Sequence, residues 1–181
     1  RFGYEEALGY CVAPDLVRDK DGITAALAVV DLLATARAEG TDLPGMLDRL
    51  ARRDGLYLSA PVTVRVADLG LIEDAMARLR TSPPTSLGGS PVTRVADLAH
   101  GLEVPDPDGR NGGAYTVPAT DGLWIETADA SRVVIRPSGT EPKLKCYLEA
   151  VLPCDGDEVP RAAAAERLDR IRADVTAALG F

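Results

Sequence analysis

The chain has 181 residues, of which 46% are hydrophobic and 27% are charged, a composition typical of a folded globular protein. Its 28 acidic side chains outnumber the 20 basic ones, and the resulting net charge of −8 disfavours nucleic acid and anionic membranes as partners. No apolar run approaches the roughly 18–20 residues that a helix needs to span a bilayer.

The cysteines and the start of the chain point to the cytoplasm. Cys11, Cys146 and Cys154 are an odd number without the spacing of metal ligands, and His100 is the single histidine, so no zinc site is predicted. The sequence opens without a charged-then-apolar leader, and reduced cysteines in a cytoplasmic protein are therefore expected.

Two helices are predicted in the first 57 residues. Apolar residues recur at helical spacing from Ile23 to Ala34, after a candidate N-cap at Asp21. A second helix is predicted over residues 42–53, before Gly55. Because this part contains helices but no convincing strand, residues 1–57 are interpreted as the C-terminal half of an α/β domain.

Residues 58–181 show a different order of elements. Strands are predicted near residues 58–66, 123–127, 132–135 and 144–149, and helices over residues 69–79 and 164–179. Thr85 to Pro118 is rich in Gly, Pro, Asp and Ser and is predicted to be loops with one short strand at residues 91–95. This order predicts a small α+β domain, an antiparallel sheet with helices on one face.

A basic loop lies between the last two predicted strands, in the segment "RPSGTEPKLKCYLE" that begins at Arg136. Arginine offers a planar fork for two phosphate oxygens, and hydroxyl groups and a glycine amide add further donors. The groups that could converge on a phosphate are Arg136, Ser138, Gly139, Thr140, Lys143 and Lys145. A surface hairpin whose cations pair with the surplus acids is the alternative interpretation.

Two further stretches carry candidate ligand-binding groups. In "FGYEEALGY", the adjacent carboxylates Glu5 and Glu6 could accept hydrogen bonds from neighbouring sugar hydroxyls, or could lie in solvent or cap a helix. In "VRDKDGI", Arg18 and Lys20 could reach an anion near the N-terminus of the first helix. The alternative is a solvated charge cluster that only begins the helix.

Taken in order, "GYEEALGY", "DKDGI" and "RPSGTEPKLKCYLE" resemble the C-terminal part of the α-D-phosphohexomutases, the phosphoglucomutase/phosphomannomutase family. The resemblance covers essentially the whole chain. It implies a four-domain enzyme around a deep cleft, with residues 1–57 at the end of the third domain and residues 58–181 forming the fourth.

The same resemblance implies roles for individual residues. Glu5, with Glu6 beside it, and Lys20 match the sugar-recognition positions, although Ala7 stands where relatives often have serine. Substrate phosphate would be bound by the loop from Arg136, through Ser138, Gly139 and Thr140, with Lys143 and Lys145. Lys145 stands where relatives often have arginine, so a point charge replaces a fork.

The resemblance also implies what other parts of the enzyme supply. The phosphoserine and the Asp-x-Asp-x-Asp loop that holds Mg²⁺ are absent from these residues, so no catalytic or metal-binding residue is assigned here. Mg²⁺ and a hexose 1,6-bisphosphate intermediate are expected in the full-length enzyme, with the N-terminal domains of the same chain as partners. The 181 residues alone are expected to be inactive.

The implied reaction interconverts hexose 1-phosphate and hexose 6-phosphate, with a phosphosugar as the ligand. Two alternatives stay open from the residues. One is a non-catalytic phosphosugar-binding module, and the other is a mutase acting on pentose or glucosamine phosphates, because Ala7 weakens the hydroxyl recognition pattern.

Overall fold

The structure is a computed structural model that describes residues 2–5, 8–105, 114–139, 141–156 and 158–180. The chain divides into two compact units, one ending at Arg53 and the other beginning at Asp54. This division lies slightly before the one expected between residues 57 and 58, because the first strand of the second unit already begins at Leu56. Within the described ranges, no helix is both long and apolar enough to cross a bilayer.

The first unit contains two helices and a short hairpin. Its elements are β1 (Gly3–Glu5), β2 (Gly9–Cys11), α1 (Gly22–Ala38) and α2 (Leu43–Asp54). The helices were predicted, and the Asp21 side chain caps α1 by accepting hydrogen bonds from the amides of Ile23 and Thr24. The antiparallel pairing of β1 with β2 was not predicted, since three residues are too few to show the alternation of a strand.

The second unit is built on a six-stranded sheet. Its elements are β3 (Leu56–Arg65), α3 (Leu69–Thr81), β4 (Ser86–Leu87), β5 (Ser90–Asp97), β6 (Leu102–Pro105), β7 (Ala114–Val117), β8 (Leu123–Thr127), β9 (Arg132–Pro137), β10 (Lys143–Leu152) and α4 (Arg161–Leu179). The sheet order is β3-β10-β9-β8-β5-β4, and every neighbouring pair is antiparallel. Strands β6 and β7 pair antiparallel in a separate two-stranded sheet.

Strand β10, which lies between β3 and β9, shows that the sheet has a covered face and an open face. Alternate residues from Leu144 to Leu152 are buried, and the residues between them are half-buried. Helix α4 contacts β10 and β3, and it buries one stripe at helical spacing: Ala164, Leu168, Ile171, Val175 and Leu179. This arrangement confirms the α+β prediction of an antiparallel sheet with helices on one face. The side chains of Lys143, Lys145 and Tyr147 therefore belong to the open face.

The strand predicted at residues 91–95 is confirmed and lies within β5, but the prediction of loops for the rest of Thr85 to Pro118 is wrong. That stretch contains the β4–β5 hairpin and the strands β6 and β7. The turn is Gly88-Gly89, with φ values of 61° and 85°, which is the kind of two-residue glycine turn that joins antiparallel strands. A Cβ on Gly88 would lie 2.8 Å from Ile171 Cγ1, so close packing under α4 also requires glycine. The glycines therefore mark a hairpin and not a long loop.

A buried polar network fixes the turn between β8 and β9. The Asp129 carboxylate accepts hydrogen bonds from Thr127 Oγ1 at 2.6 Å and from the Ser131 amide at 3.3 Å. Arg167 of α4 lies 3.3 Å from the same carboxylate and donates to two backbone carbonyls. Burial raises the pKa of Asp129, but the hydrogen bonds from Thr127 and Ser131 and the charge of Arg167 outweigh it and lower the pKa.

We therefore expect Asp129→Asn to lower the free energy of unfolding at pH 7 by roughly 1–3 kcal/mol, the cost of leaving partners unpaired. Since the folded pKa lies below the unfolded value of about 3.9, this stabilisation is complete above that value and is lost as the pH falls through the folded pKa. Urea unfolding at pH 7 and at pH 3 measures it. If the free energies of unfolding of the parent protein and of Asp129→Asn differed by the same amount at both pH values, the lowered pKa assigned to Asp129 would be contradicted.

The three cysteines differ in burial, and Cys146 lies in the core of the sheet on β10 with no exposed surface. Burial raises the pKa of the Cys146 thiol to about 12. Because the thiolate is the reactive form, we expect iodoacetamide at pH 8 to modify Cys11 and Cys154, which are half-buried, and to spare Cys146 until the protein unfolds. Peptide mass spectrometry measures this, and equal labelling of all three in the folded protein would contradict it.

Candidate functional site

The predicted basic loop lies where β9 turns into β10. The Ser138 amide donates to the Lys143 carbonyl at 2.9 Å, and this bond closes the turn. Arg136 and Lys145 are direct cross-strand partners in the register, so their Cβ atoms are about 5 Å apart on the open face. The Arg136 guanidinium lies over the Tyr147 ring, with Cζ 5.7 Å from the ring centroid.

The four cations around this loop are not equivalent. Lys143 Nζ lies 2.6 Å from Glu141 Oε1, and Arg65 Nη1 lies 2.8 Å from Glu141 Oε2. Hydrogen bonds from Lys143 and then from Arg65 lower the pKa of Glu141, so this carboxylate is ionised at neutral pH. Across the described part of the chain, neither Arg136 nor Lys145 has a carboxylate partner. Arg136 and Lys145 are thus the pair available to an external anion.

The remaining loop residues are placed only in part. Ser138 lines a cleft of about 350 Å³ beside α3, together with Pro137 and Met76. Gly139 is exposed, and a Cβ added there would meet no atom within 4 Å, so there is open space in front of its backbone. Thr140 lies outside the described residues. The structure therefore brings Arg136 and Lys145 together and places Ser138 and Gly139 in the turn that connects their strands.

In the first unit, two of the predicted sugar-recognition residues form an ion pair. Lys20 Nζ donates to Glu5 Oε1 at 3.0 Å, and both side chains are about half exposed. Gly9 lies opposite Glu5 in the hairpin, and a Cβ on Gly9 would collide with the Glu5 and Lys20 side chains. Within the described residues, Glu5 Oε2 has no partner and can accept a hydroxyl hydrogen bond. Glu6 and Ala7 lie outside the described residues.

The positions of the potential metal ligands bear on whether these residues could hold Mg²⁺. Among the residues that the structure describes, no three His, Cys, Asp or Glu side chains lie close enough together to hold a metal ion. A Mg²⁺ ion requires several oxygen ligands in a nearly octahedral arrangement. These residues therefore do not fit Mg²⁺, and no metal-dependent step is assigned to them.

Arg65 was not predicted as part of the site. It is the last residue of β3, and it reaches Glu141 only because β3 pairs with β10 in the register Arg65↔Lys143. The two residues of this ion pair are 76 positions apart in sequence. Arg65 lies in the strand predicted near residues 58–66, but nothing in the sequence predicted that this strand pairs with β10.

An antiparallel sheet with helices on one face, which carries an arginine–lysine pair beside a glycine-containing turn, defines an α+β domain with a basic loop. The comparison with protein families agrees with this class: residues 90–178 match the model described as phosphoglucomutase/phosphomannomutase, C-terminal domain. Together with the relatives described next, this match shows that the chain belongs to the α-D-phosphohexomutase family.

Among curated relatives, a probable phosphomannomutase of Haemophilus influenzae is 38% identical over 160 residues. A probable phosphoribomutase of Schizosaccharomyces pombe is 32% identical over 154 residues. These alignments cover 87% and 80% of this chain but only 30% and 25% of the relatives. The chain therefore spans less than a third of the length of the relatives that it matches.

A solved structure has the same fold. The open form of the exocytosis-sensitive phosphoprotein pp63/parafusin, a phosphoglucomutase from Paramecium, aligns with a TM-score of 0.62 over 99% of this chain and 31% of its own. The sequence identity is 19%, so this likeness concerns the fold alone.

Proposed function

We propose that the chain supplies phosphosugar recognition to a phosphomutase that interconverts hexose 1-phosphate and hexose 6-phosphate through a phosphoserine enzyme and a bisphosphate intermediate. The observation that carries this proposal is the Arg136–Lys145 pair, two cations side by side on the open face without a carboxylate partner among the described residues. The family membership supports the same assignment.

In this proposal the loop binds the phosphate that is not reacting. Arg136 donates two parallel hydrogen bonds, Lys145 adds a point charge, and Ser138, Gly139 and Thr140 offer hydroxyl and amide donors. Lys143 contributes while it stays paired with Glu141. The binding energy of the remote phosphate then holds the other end of the sugar in line for transfer. Mg²⁺, held by another part of the enzyme, would stabilise the negative charge on the phosphoryl group during its transfer.

For the first unit we propose sugar recognition by Glu5, with Glu6 and Lys20. The Glu5–Lys20 pair orients one carboxylate oxygen toward Lys20 and leaves the other for ring hydroxyls. We also propose that residues 1–57 are the end of the third mutase domain and residues 58–181 the fourth. Helix α1 supports a larger domain, because Ile23, Leu27 and Val30 are between 62% and 75% exposed, as expected of a helix that other elements cover.

A pentose phosphate is the second candidate substrate, since one of the relatives is named a probable phosphoribomutase. A phosphate-binding loop does not distinguish the two sugars. Residue 7 is alanine, so one hydroxyl side chain that would help to recognise the ring is absent. Both substrates are consistent with a metabolic enzyme of the cytoplasm.

The test compares the whole gene product with the 181-residue chain. With Mg²⁺ and glucose 1,6-bisphosphate present, the whole gene product should turn over glucose 1-phosphate or mannose 1-phosphate with a higher kcat/KM than ribose 1-phosphate. The 181-residue chain should bind glucose 6-phosphate in calorimetry without turnover. Preference for ribose 1-phosphate would overturn the hexose assignment, and binding without turnover by the whole gene product would indicate a non-catalytic module.

A further inference from the structure

Arg65 sits at the edge of the basic loop, on the strand that borders it. It is directly opposite Lys143 in the β3–β10 register, so both side chains project from the open face. The next residue, Val66, donates its amide to the Pro142 carbonyl at 3.1 Å. The end of β3 therefore holds the last part of the loop by a backbone bond and a side-chain bond together.

Glu141 links Arg65 to the loop. Each of its two carboxylate oxygens contacts a different cation: Oε1 lies 2.6 Å from Lys143 Nζ, and Oε2 lies 2.8 Å from Arg65 Nη1. The Lys143 side chain is only 14% exposed, whereas that of Arg65 is 70% exposed. Arg65 thus holds the carboxylate from the solvent side, and the carboxylate fixes the partly buried lysine.

The geometry favours an indirect role for Arg65. Arg136 is on β9 and Arg65 is on β3, so the whole of β10 lies between them, a separation of roughly 10 Å across the sheet. They also differ by two positions along β10, since Arg136 pairs with Lys145 and Arg65 with Lys143, which adds about 7 Å along the strand. The Arg65 guanidinium is engaged by Glu141.

We propose that Arg65 is a positioning residue of the phosphate site: through Glu141 it holds Lys143 and the turn between β9 and β10 in the arrangement that receives phosphate. This inference rests on the proposed function of the loop. Without Arg65, Glu141 keeps a single cation partner, and the turn loses its side-chain anchor to β3. Phosphate is then bound by a less ordered loop with one positive charge fewer.

A double-mutant cycle on the 181-residue chain tests this inference, with glucose 6-phosphate as the probe in calorimetry. Since exposed ion pairs contribute up to about 1 kcal/mol, Arg65→Ala should raise the Kd about three- to fivefold. In the Glu141→Gln background, the same Arg65→Ala change should leave the Kd within about 1.5-fold, because the intermediary is gone. Arg65→Lys, which retains the charge, should restore most of the affinity.

The matched control is Arg94, which lies on the same sheet face and pairs with Glu126 at 3.7 Å, away from the loop. Arg94→Ala should leave the Kd unchanged, and the melting temperatures of the Arg65 variants should stay near that of the parent protein. If Arg65→Ala weakened glucose 6-phosphate binding equally in the parent protein and in the Glu141→Gln background, the inference would be overturned, since Arg65 would then act directly. The inference would also be overturned if Arg65→Ala left the affinity for glucose 6-phosphate unchanged while Arg136→Ala lowered it strongly. That result would still agree with the proposed function. If Arg136→Ala also had no effect, the proposed function itself would fail.

Discussion

Replacing Arg136 by alanine is expected to weaken glucose 6-phosphate binding roughly 10- to 150-fold, corresponding to the ~1.5–3 kcal/mol of hydrogen bonds to a charged group. Arg136 is exposed on β9, it has no carboxylate partner in the described part of the chain, and its guanidinium lies over the face of Tyr147. Its removal should therefore cost binding and little stability. Calorimetry with glucose 6-phosphate measures the loss of affinity.

Arg172→Ala is the control for this experiment. Arg172 is an exposed arginine of α4 that pairs with Asp169 on the same helix, so it has the same charge and no place in the loop. Its replacement should leave the affinity unchanged. Equal affinities of the Arg136 and Arg172 variants would show that the arginine at the start of the loop does not bind the phosphate.

The second large effect concerns stability. Ile171→Ala is expected to lower the free energy of unfolding by about 2–5 kcal/mol, the range for deleting a buried aliphatic side chain. Ile171 has no exposed surface, belongs to the stripe of α4 that covers the sheet, and packs against the Gly88 turn. The variant therefore leaves a cavity between the helix and the β4–β5 hairpin. The midpoint and slope of urea unfolding measure the change.

Arg172→Ala, at the neighbouring position, is the control here as well. It should change the free energy of unfolding by no more than about 0.5 kcal/mol, as most surface substitutions do. A loss below 1 kcal/mol for Ile171→Ala would contradict the packing of α4 on the covered face. A change in slope would mean that the compactness of the unfolded or native state had changed as well.

The fold was predictable from the sequence where the periodicity was long. The alternation around Leu144 and Leu148 and the helical stripe of the final helix gave the right elements in the right order. The error from Thr85 to Pro118 arose because glycine and proline were interpreted as signs of loops. At Gly88 and Gly89 the same residues form a two-residue turn between paired strands. Strand β4 has two residues and β6 and β7 have four each, which is too short to show a clear alternation.

The candidate site was predictable only in its local part. Arg136 and Lys145 lie in one hairpin, so the turn alone brings them together. Lys143 was predicted as one of the phosphate-binding cations, and in the structure it is paired with Glu141, a carboxylate two residues away. The contribution of Arg65 depends on which strand pairs with β10, a long-range choice that local sequence does not encode.

The most direct test of the account is a nuclear magnetic resonance titration of the ¹⁵N-labelled 181-residue chain with glucose 6-phosphate, followed by the same titration with glucose. The account predicts that the phosphorylated sugar shifts the amide signals of Ser138, Gly139 and Lys145 and that glucose leaves these signals in place. Shifts confined to the far end of the open face, around Trp124 and Glu126, or identical shifts with both sugars, would contradict it.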